Sequence, residues 1–269
     1  MKGLFSYLQA IWARRHFWLS LVRCDIRARY RGSLLGIAWS MLQPIAMTTI
    51  LCGVFSTIFH TAIADFAPYL MAGLTYWQFI TTTSLLGCHC FFTSECYIRQ
   101  HPAPMAIYPL RTMLGSAFHF LIGYVLVIGL SLAFHGVGFI SVAGLLSLIP
   151  TFVLLAAFGW ALAIIFGLAT VRFRDLKHLS EVGFQALFYL TPIMYGPDQV
   201  QSLLERRTVG WMFTLNPFVP ILNLIRDPVV AGLPPALSSY LAGTLLTLTT
   251  VVVAGLALRS QERKIIFNL

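Results

Sequence analysis

Few side chains in this sequence are suited to catalysis, and they are widely spaced. The 269 residues contain nine Asp and Glu residues in total and seven His residues. A catalytic site needs paired carboxylates, a His with an acidic partner, or a metal cluster. His119 has no carboxylate within a helical turn, and Asp227 lies beside Arg226 in a strongly apolar region. This spacing argues against a catalytic centre and predicts that the chain is not an enzyme.

Motifs that hold metal ions or nucleotides are also unsupported. Cys88-His89-Cys90 contains two thiols, but helical residues two apart point about 200° away from each other, so these thiols cannot share a metal ion. The sequence has no GxxxxGK[ST] phosphate-binding loop. We therefore expect no cofactor in this chain. If its activity consumes ATP, a separate polypeptide must bind the ATP and Mg.

The composition places the chain in a membrane. It is 58% hydrophobic and 10% charged, compared with roughly 25% charged residues in soluble domains. No Asp, Glu, Lys or Arg occurs from Thr112 to Val171, a stretch far longer than the ~20 residues that one span needs. The formal net charge is +9, and the basic clusters adjoin apolar runs. That placement indicates contact with lipid headgroups and not with nucleic acid.

The apolar runs predict an all-α integral membrane fold in one domain, residues 1–269. Residues 1–32 are expected to form an amphipathic helix at the membrane surface that ends in a basic elbow. Pro44 predicts a kink in the first span, and an outer loop is expected from His60 to Pro68. Six transmembrane helices are expected at 34–59, 69–92, 110–134, 139–171, 179–195 and 237–258.

The segment 196–235 does not fit an ordinary loop. It is rich in Pro and Gly, yet strongly apolar between Trp211 and Ile225. That stretch is too short to cross a bilayer and too apolar to remain in water. A re-entrant pair of half-helices before the last span satisfies both conditions, provided that protein buries the broken backbone.

The distribution of basic residues predicts the orientation. Six spans place both termini on one side of the membrane. All Lys and Arg residues except Arg206, Arg207 and Arg226 lie on that side. Because cytosolic segments carry an excess of Lys and Arg, both termini are expected in the cytosol.

Several stretches, in order along the chain, resemble the permease subunit of bacterial ABC-type polysaccharide exporters. This family exports O-antigen, capsule and teichoic acid. The stretches are DIRARYRGSLLGIAWSMLQP (25–44), MAGLTYWQF (71–79), VRFRDL (171–176), TPIMY (191–195), LNPF (215–218) and Arg226. The segment RYRGSLLG is more similar to the O-antigen exporters than to the capsule branch of the family.

The resemblance implies a homodimer of non-catalytic permeases that binds two copies of a separate ABC ATPase subunit in the bacterial inner membrane. The substrate would be a polysaccharide linked to undecaprenyl pyrophosphate, with O-antigen the expected glycan. A drug or small-lipid ABC exporter with the same fold is the main alternative. A membrane-embedded glycan or lipid enzyme and a purely structural scaffold are further alternatives, which the residues favour less.

The resemblance also implies contacts with the ATPase. Residues 93–109 match the cytosolic coupling helix, and the turn 172–177 is a candidate second contact. The expected contact residues on these two segments are Glu95, Arg99, His101, Arg174 and Asp175. A plain interfacial helix and a topology anchor are the respective alternatives.

Two further groups of residues are expected to meet the substrate. Arg27, Arg29 and Arg31 can contact the pyrophosphate where the lipid-linked substrate enters, because the guanidinium fork matches phosphate oxygens. Attraction to anionic headgroups, roughly 1 kcal/mol per residue, is the alternative. Because aromatic rings stack on sugar rings, the expected glycan pathway residues are Trp39, Tyr76, Trp77 and Tyr189. Arg226 is expected to fix the re-entrant gate through a buried pair with Asp227. Core packing and lipid-facing belts are the alternative for the aromatic residues.

Overall fold

Helices account for all regular structure in the part of the chain that the computed structural model describes, residues 4–100, 103–196 and 216–268. Short 3-10 turns at Gly36–Ala38 and Phe92–Ser94 precede the third and fifth α-helices. The α-helices are α1 (Leu4–Ala13), α2 (Arg15–Tyr30), α3 (Trp39–Phe59), α4 (Ile63–His89), α5 (Glu95–Gln100), α6 (Ile107–His135), α7 (Val142–Arg172), α8 (Leu176–Leu190), α9 (Val219–Val230) and α10 (Leu237–Asn268). The predicted all-α fold is confirmed.

Four helical stretches are long and apolar enough to cross a membrane. They are Gly36–Ile58, Ile107–His135, Val142–Arg172 and Leu237–Glu262, which contain most of α3, α6, α7 and α10. The prediction of an integral membrane protein is therefore confirmed. Two further predicted spans are not in this set. The first, α8, has 15 residues, and the second, α4, carries many polar side chains.

The central helix of the bundle is α4. It contacts α3, α6, α7, α8 and α9, and Thr75, Thr83 and Ser84 along it are all buried. Hydroxyl groups inside a helical bundle can bond to backbone carbonyls, as Thr75 does to Met71. Because protein surrounds most of α4, this helix carries more polar residues than a lipid-facing span would.

Small residues allow α7 to lie very close to α4. A Cβ atom added to Gly87 of α4 would lie 2.8 Å from the Cα of Ala163 in α7. On α7, a Cβ at Gly159 would lie 2.7 Å from the ring of Phe79. Glycine and alanine at these positions let the two backbones approach, which is the usual basis of helix association in lipid.

The bounds of several elements differ from those predicted. The outer loop predicted from His60 to Pro68 is wrong beyond Ala62, because α4 begins at Ile63. Pro68 is accommodated in the second turn of α4, where its missing N–H removes one intrahelical hydrogen bond. The α8 helix stops at Leu190. The next residue, Thr191, precedes Pro192, and proline disfavours the α conformation in the residue before it.

The predicted surface helix is divided into two helices, and only part of the predicted re-entrant pair is described. Residues 1–32 were expected as one helix, but α1 and α2 are separated at Arg14. One helix of the predicted pair, α9, is described, whereas residues 197–215 lie outside the described residues. Tyr124 and Ser131 of α6 donate hydrogen bonds of 2.7 Å to carbonyl groups of α9, so protein encloses this broken segment.

Polar contacts join α1, α2, the turn before α5, the start of α6 and the tail of α10, which together we name the basic end. Arg111 of α6 donates to both carboxylate oxygens of Asp25 in α2 and to Ser94 Oγ at 3.4 Å. The Tyr7 hydroxyl of α1 donates to Glu262 Oε1 of α10 at 2.9 Å. Burial and the Glu262 carboxylate raise the pKa of Tyr7, so its hydroxyl stays protonated as a donor.

Replacing Gly87 by Ala should destabilise the bundle, because the new methyl group meets the Ala163 backbone, which cannot rotate away. The expected loss is about 1–3 kcal/mol of unfolding free energy, typical of overpacking. Gly115→Ala in α6 is the matched control, since nothing lies within 4 Å of its added Cβ. Denaturant unfolding in detergent would measure both variants, and equal stability of the two would contradict the close α4–α7 contact.

Candidate functional site

A cavity of about 920 Å³ lies among α3, α4, α6 and α8, next to the end of α2. Its lining combines aromatic rings with uncharged hydroxyl and amide groups. Among the described residues, Arg29 and Glu181 are the only Lys, Arg, Asp or Glu side chains that line it. Arg29 lies in the last turn of α2 and Glu181 lies in the second turn of α8, so both charges lie toward the basic end of the bundle.

Three polar side chains meet where the elbow joins the cavity. Tyr30 Oη and Ser40 Oγ each lie 3.0 Å from His119 Nδ1, and these two oxygens also contact each other. They come from α2, the start of α3 and α6. This network fixes the connection between α2 and α3 against α6, beside Arg29. His119 therefore takes part in a hydrogen-bond network and has no carboxylate partner among the described residues.

The predicted aromatic residues fall into two environments. Trp39 and Tyr189 line the cavity and are 53% and 56% exposed. Trp77 also lines the cavity, but it is 7% exposed and lies against Phe184 with ring centroids 6.2 Å apart. Tyr76 is fully buried and donates to the carbonyl of Phe218 at 3.1 Å. It is a core residue and does not line the cavity.

Sequence reasoning missed the polar residues that lie between these rings. Gln78 Nε2 of α4 donates to Thr82 Oγ1 at 3.2 Å, and Gln185 Nε2 of α8 donates to the Tyr189 hydroxyl at 3.4 Å. Both are contacts between residues four apart on one helix, and both line the cavity. The available signal was a Gln within each of two predicted apolar spans, 69–92 and 179–195.

The basic residues of the elbow differ in their relation to the cavity. Arg27, Arg29 and Arg31 are all exposed, as expected for groups that meet headgroups or phosphate. Arg29 lines the cavity, and Arg27 and Arg31 do not. The structure thus brings one of the three predicted arginines into contact with the cavity.

Arg226 is placed away from the cavity. It is 4% exposed and donates to the carbonyl groups of Pro192 and Ile193 at 2.9 and 3.3 Å. Its guanidinium carbon lies 3.6 Å from the ring centroid of Tyr69. The ion pairs of the described residues do not include Arg226–Asp227, so the predicted buried pair is wrong, and the Arg226 guanidinium bonds to backbone carbonyls instead. Arg226 joins α9 to α4 and to the chain that follows α8.

Comparison with known protein families identifies this architecture. Residues 16–229 match the family model described as "ABC-2 type transporter". The chain belongs to the ABC-2 type transporter family. As a membrane transport subunit of this family it is a permease and not an enzyme, as the scarcity of converging polar groups predicted.

Relatives of this ABC-2 transporter chain are named for polysaccharide export. It is 25% identical over 214 residues to an O-antigen export system permease protein RfbA of Klebsiella pneumoniae, covering 77% of this chain and 78% of the relative. Identity to the protein of that name from Myxococcus xanthus is 26%, over 82% of each chain. Identity to the polysialic acid transport protein KpsM of Escherichia coli is 26%, over 88% and 90% of the two chains.

Four of the five residues predicted to contact an ATPase are described, and they lie at the same end of this ABC-2 transporter chain as the elbow. Arg99 Nε donates to Glu95 Oε1 at 2.8 Å across one turn of α5, and both side chains are substantially exposed. His101 lies outside the described residues. Arg174 and Asp175 are exposed in the turn between α7 and α8. These charged groups are accessible to a partner at the same end of the bundle as the elbow.

Replacing Arg226 by Lys should destabilise the protein, because an ammonium group cannot reproduce two carbonyl contacts and a stacked guanidinium plane. Loss of one hydrogen bond from a buried charge predicts about 2 kcal/mol. Tyr69→Phe keeps the ring beneath the guanidinium and should cost less than about 1 kcal/mol. Denaturant unfolding in detergent would measure the unfolding free energies of both variants. A fully stable Arg226→Lys variant would contradict the role of Arg226 in joining α9 to its neighbours.

Proposed function

We propose that this chain is the transmembrane subunit of an ATP-driven exporter that moves undecaprenyl-pyrophosphate-linked polysaccharide across the bacterial inner membrane. O-antigen is the proposed glycan, since relatives named for O-antigen export match most of the chain. The observation that carries the proposal is the cavity, in which exposed Trp39 and Tyr189 rings lie among hydroxyl and amide groups. This combination suits sugars, whose rings stack on aromatic faces and whose hydroxyls form hydrogen bonds.

The proposed assembly contains two copies of this chain and two copies of a separate ABC ATPase subunit, which supplies the ATP and Mg binding. The cavity supports a dimer because one of its walls is α3, and most of this helix is not buried within the chain. Exposed apolar residues on α3, such as Ile50 and Val54, leave a surface for a second copy or for lipid. A second permease facing this wall would enclose the glycan.

The proposed topology has six spans with both termini in the cytosol. Here α4 and α8 serve as the second and fifth spans, and α4 supports this because it has 27 residues and is enclosed by apolar neighbours. We place α9 as one half of a re-entrant pair at the periplasmic side. Its support is that Ile221, Leu222 and Ile225 are fully buried, as a broken segment at membrane depth requires. The α1 and α2 helices then lie on the cytosolic surface, with Trp12 exposed toward headgroups.

Substrate access is proposed at the elbow. The pyrophosphate would meet Arg29, with Arg27 and Arg31 nearby on the same basic segment, and the glycan would follow into the cavity. Arg29 at the cavity and an uncharged wall beyond it support this order. The ATPase is proposed to contact Glu95, Arg99 and His101, and also Arg174 and Asp175.

The function is tested by reconstituting the permease with its ATPase in nanodiscs and adding lipid-linked polysaccharide. We expect the glycan lipid to stimulate ATP hydrolysis and to cross the bilayer of proteoliposomes. Drugs and phospholipids should not stimulate hydrolysis. Stimulation by these small molecules without any response to the glycan lipid would favour the alternative, a drug or small-lipid exporter.

Arg29→Gln should lower export more than Arg27→Gln does, because Arg29 alone of the two lines the cavity. Loss of a charge-assisted contact to phosphate predicts a decrease of about 10-fold for Arg29→Gln. Export of labelled glycan lipid into proteoliposomes measures both variants at matched protein levels. If both arginines only anchor the topology by attracting headgroups, the two variants will have the same effect.

The double variant Glu95→Gln and Arg99→Gln should uncouple the permease from its ATPase. An exposed pair of this kind contributes at most about 1 kcal/mol to stability, so the variant should fold normally. Pull-down of the ATPase and glycan-stimulated hydrolysis should both decrease. Arg259→Gln, an exposed position on α10, is the control. Unchanged pull-down together with unchanged export would exclude α5 as the contact.

A further inference from the structure

The charge of the cavity lining distinguishes between classes of glycan. A polysaccharide with a carboxylate on each repeat would place anions along the whole path. Groups of opposite charge are then needed, because an ionised group without a partner is costly to remove from water. Among the described residues that line the cavity, Arg29 is the only Lys or Arg side chain, and it lies at the basic end.

The acidic residue of the cavity makes this path still less suitable for anions. Glu181 lines the cavity and lies 3.8 Å from Lys177 and 3.4 Å from His178. Those two partners belong to α8 and are not among the residues lining the cavity. Glu181 therefore adds a carboxylate to the lining, and the formal charges of Arg29 and Glu181, the two charged residues of the described lining, cancel.

Neutral hydrogen-bonding groups from α4 and α8 also line the cavity. Gln78 and Thr82 of α4 form one amide–hydroxyl pair, and Gln185 and Tyr189 of α8 form the other. Gln78 is exposed although Trp77 and Phe79 on either side of it are buried. Gln185 is exposed next to buried Phe184. Each pair thus presents uncharged donors and acceptors to the cavity.

Amide and hydroxyl groups suit the hydroxyl groups of a sugar, because each can donate and accept. The exposed ring of Tyr189 provides an adjacent surface on which a sugar ring can stack. We propose that Gln78, Thr82, Gln185 and Tyr189 form a subsite for uncharged sugar residues. The exporter is thereby restricted to neutral glycans and excludes polyanionic ones. This inference rests on the proposed function, since it assumes that glycan passes through the cavity.

The experiment compares two lipid-linked glycans of equal length on the reconstituted permease–ATPase complex. The first is built from neutral hexoses, and the second carries a uronic acid in each repeat, both on undecaprenyl pyrophosphate. We expect the neutral glycan to stimulate ATP hydrolysis and the uronic acid glycan to require at least about 10-fold more for half-maximal stimulation. Equal stimulation by both would overturn the neutral restriction and leave the proposed function intact. Stimulation by neither would contradict the proposed function itself.

The subsite is tested separately by the double variant Gln78→Leu and Gln185→Leu. Loss of neutral hydrogen bonds on both helices predicts about a 10-fold higher concentration of neutral glycan for half-maximal stimulation. Gln9→Leu, an exposed position on α1 that does not line the cavity, should behave like the unaltered chain. An unchanged response of the double variant would overturn the subsite. The comparison of the two glycans uses the unaltered chain, so it decides the restriction even if the double variant is unstable.

Discussion

The enclosure of α4 is the constraint on which the rest of the structure depends. This helix contains Thr, Ser and Gln residues that lipid alone would not tolerate, so other helices must surround it. Gly87 against Ala163 and Gly159 against Phe79 allow α7 to lie close on one side. On another side α6 bonds to α9, which Arg226 in turn joins to the end of α8. The part of α4 that these neighbours leave uncovered contains Gln78, and it forms a wall of the cavity.

Contacts at the basic end hold the end of α2 in place beside this cavity. Arg111 ties α2 to the turn before α5, and Tyr30, Ser40 and His119 tie the end of α2 to α3 and α6. The position of Arg29 at the cavity follows from these two sets of contacts. The same arginine, Arg111, contacts Ser94 in the segment before the proposed ATPase-binding helix. A movement of α5 would therefore alter the contacts that hold α2. The elbow is therefore both a membrane-surface element and part of the cavity wall.

Much of the fold was predictable because lipid imposes a simple rule on sequence. Long apolar runs gave the helices, and Gly136 and Gly138 between α6 and α7 have positive φ angles, as expected for the turn of a helical hairpin. The site was less predictable. Tyr76 and Trp77 are adjacent aromatic residues of one predicted span, and both are buried. Their residue types therefore do not show that only Trp77 lines the cavity. Arg226 bonds to backbone carbonyl groups, which every residue has, so no residue type in the sequence marks its partners. The partners of His119 lie on other helices and far away in sequence.

The central claim is that glycan passes through the cavity bounded by α3, α4, α6 and α8. The most direct measurement places a photoreactive phenylalanine analogue at position 189 or at position 76 and illuminates the reconstituted complex during ATP-driven export. Both positions replace a tyrosine, but Tyr189 is exposed to the cavity and Tyr76 is buried beside it. The account predicts a glycan adduct at position 189 that requires ATP, and none at position 76. Crosslinking at position 76 without crosslinking at position 189 would contradict it.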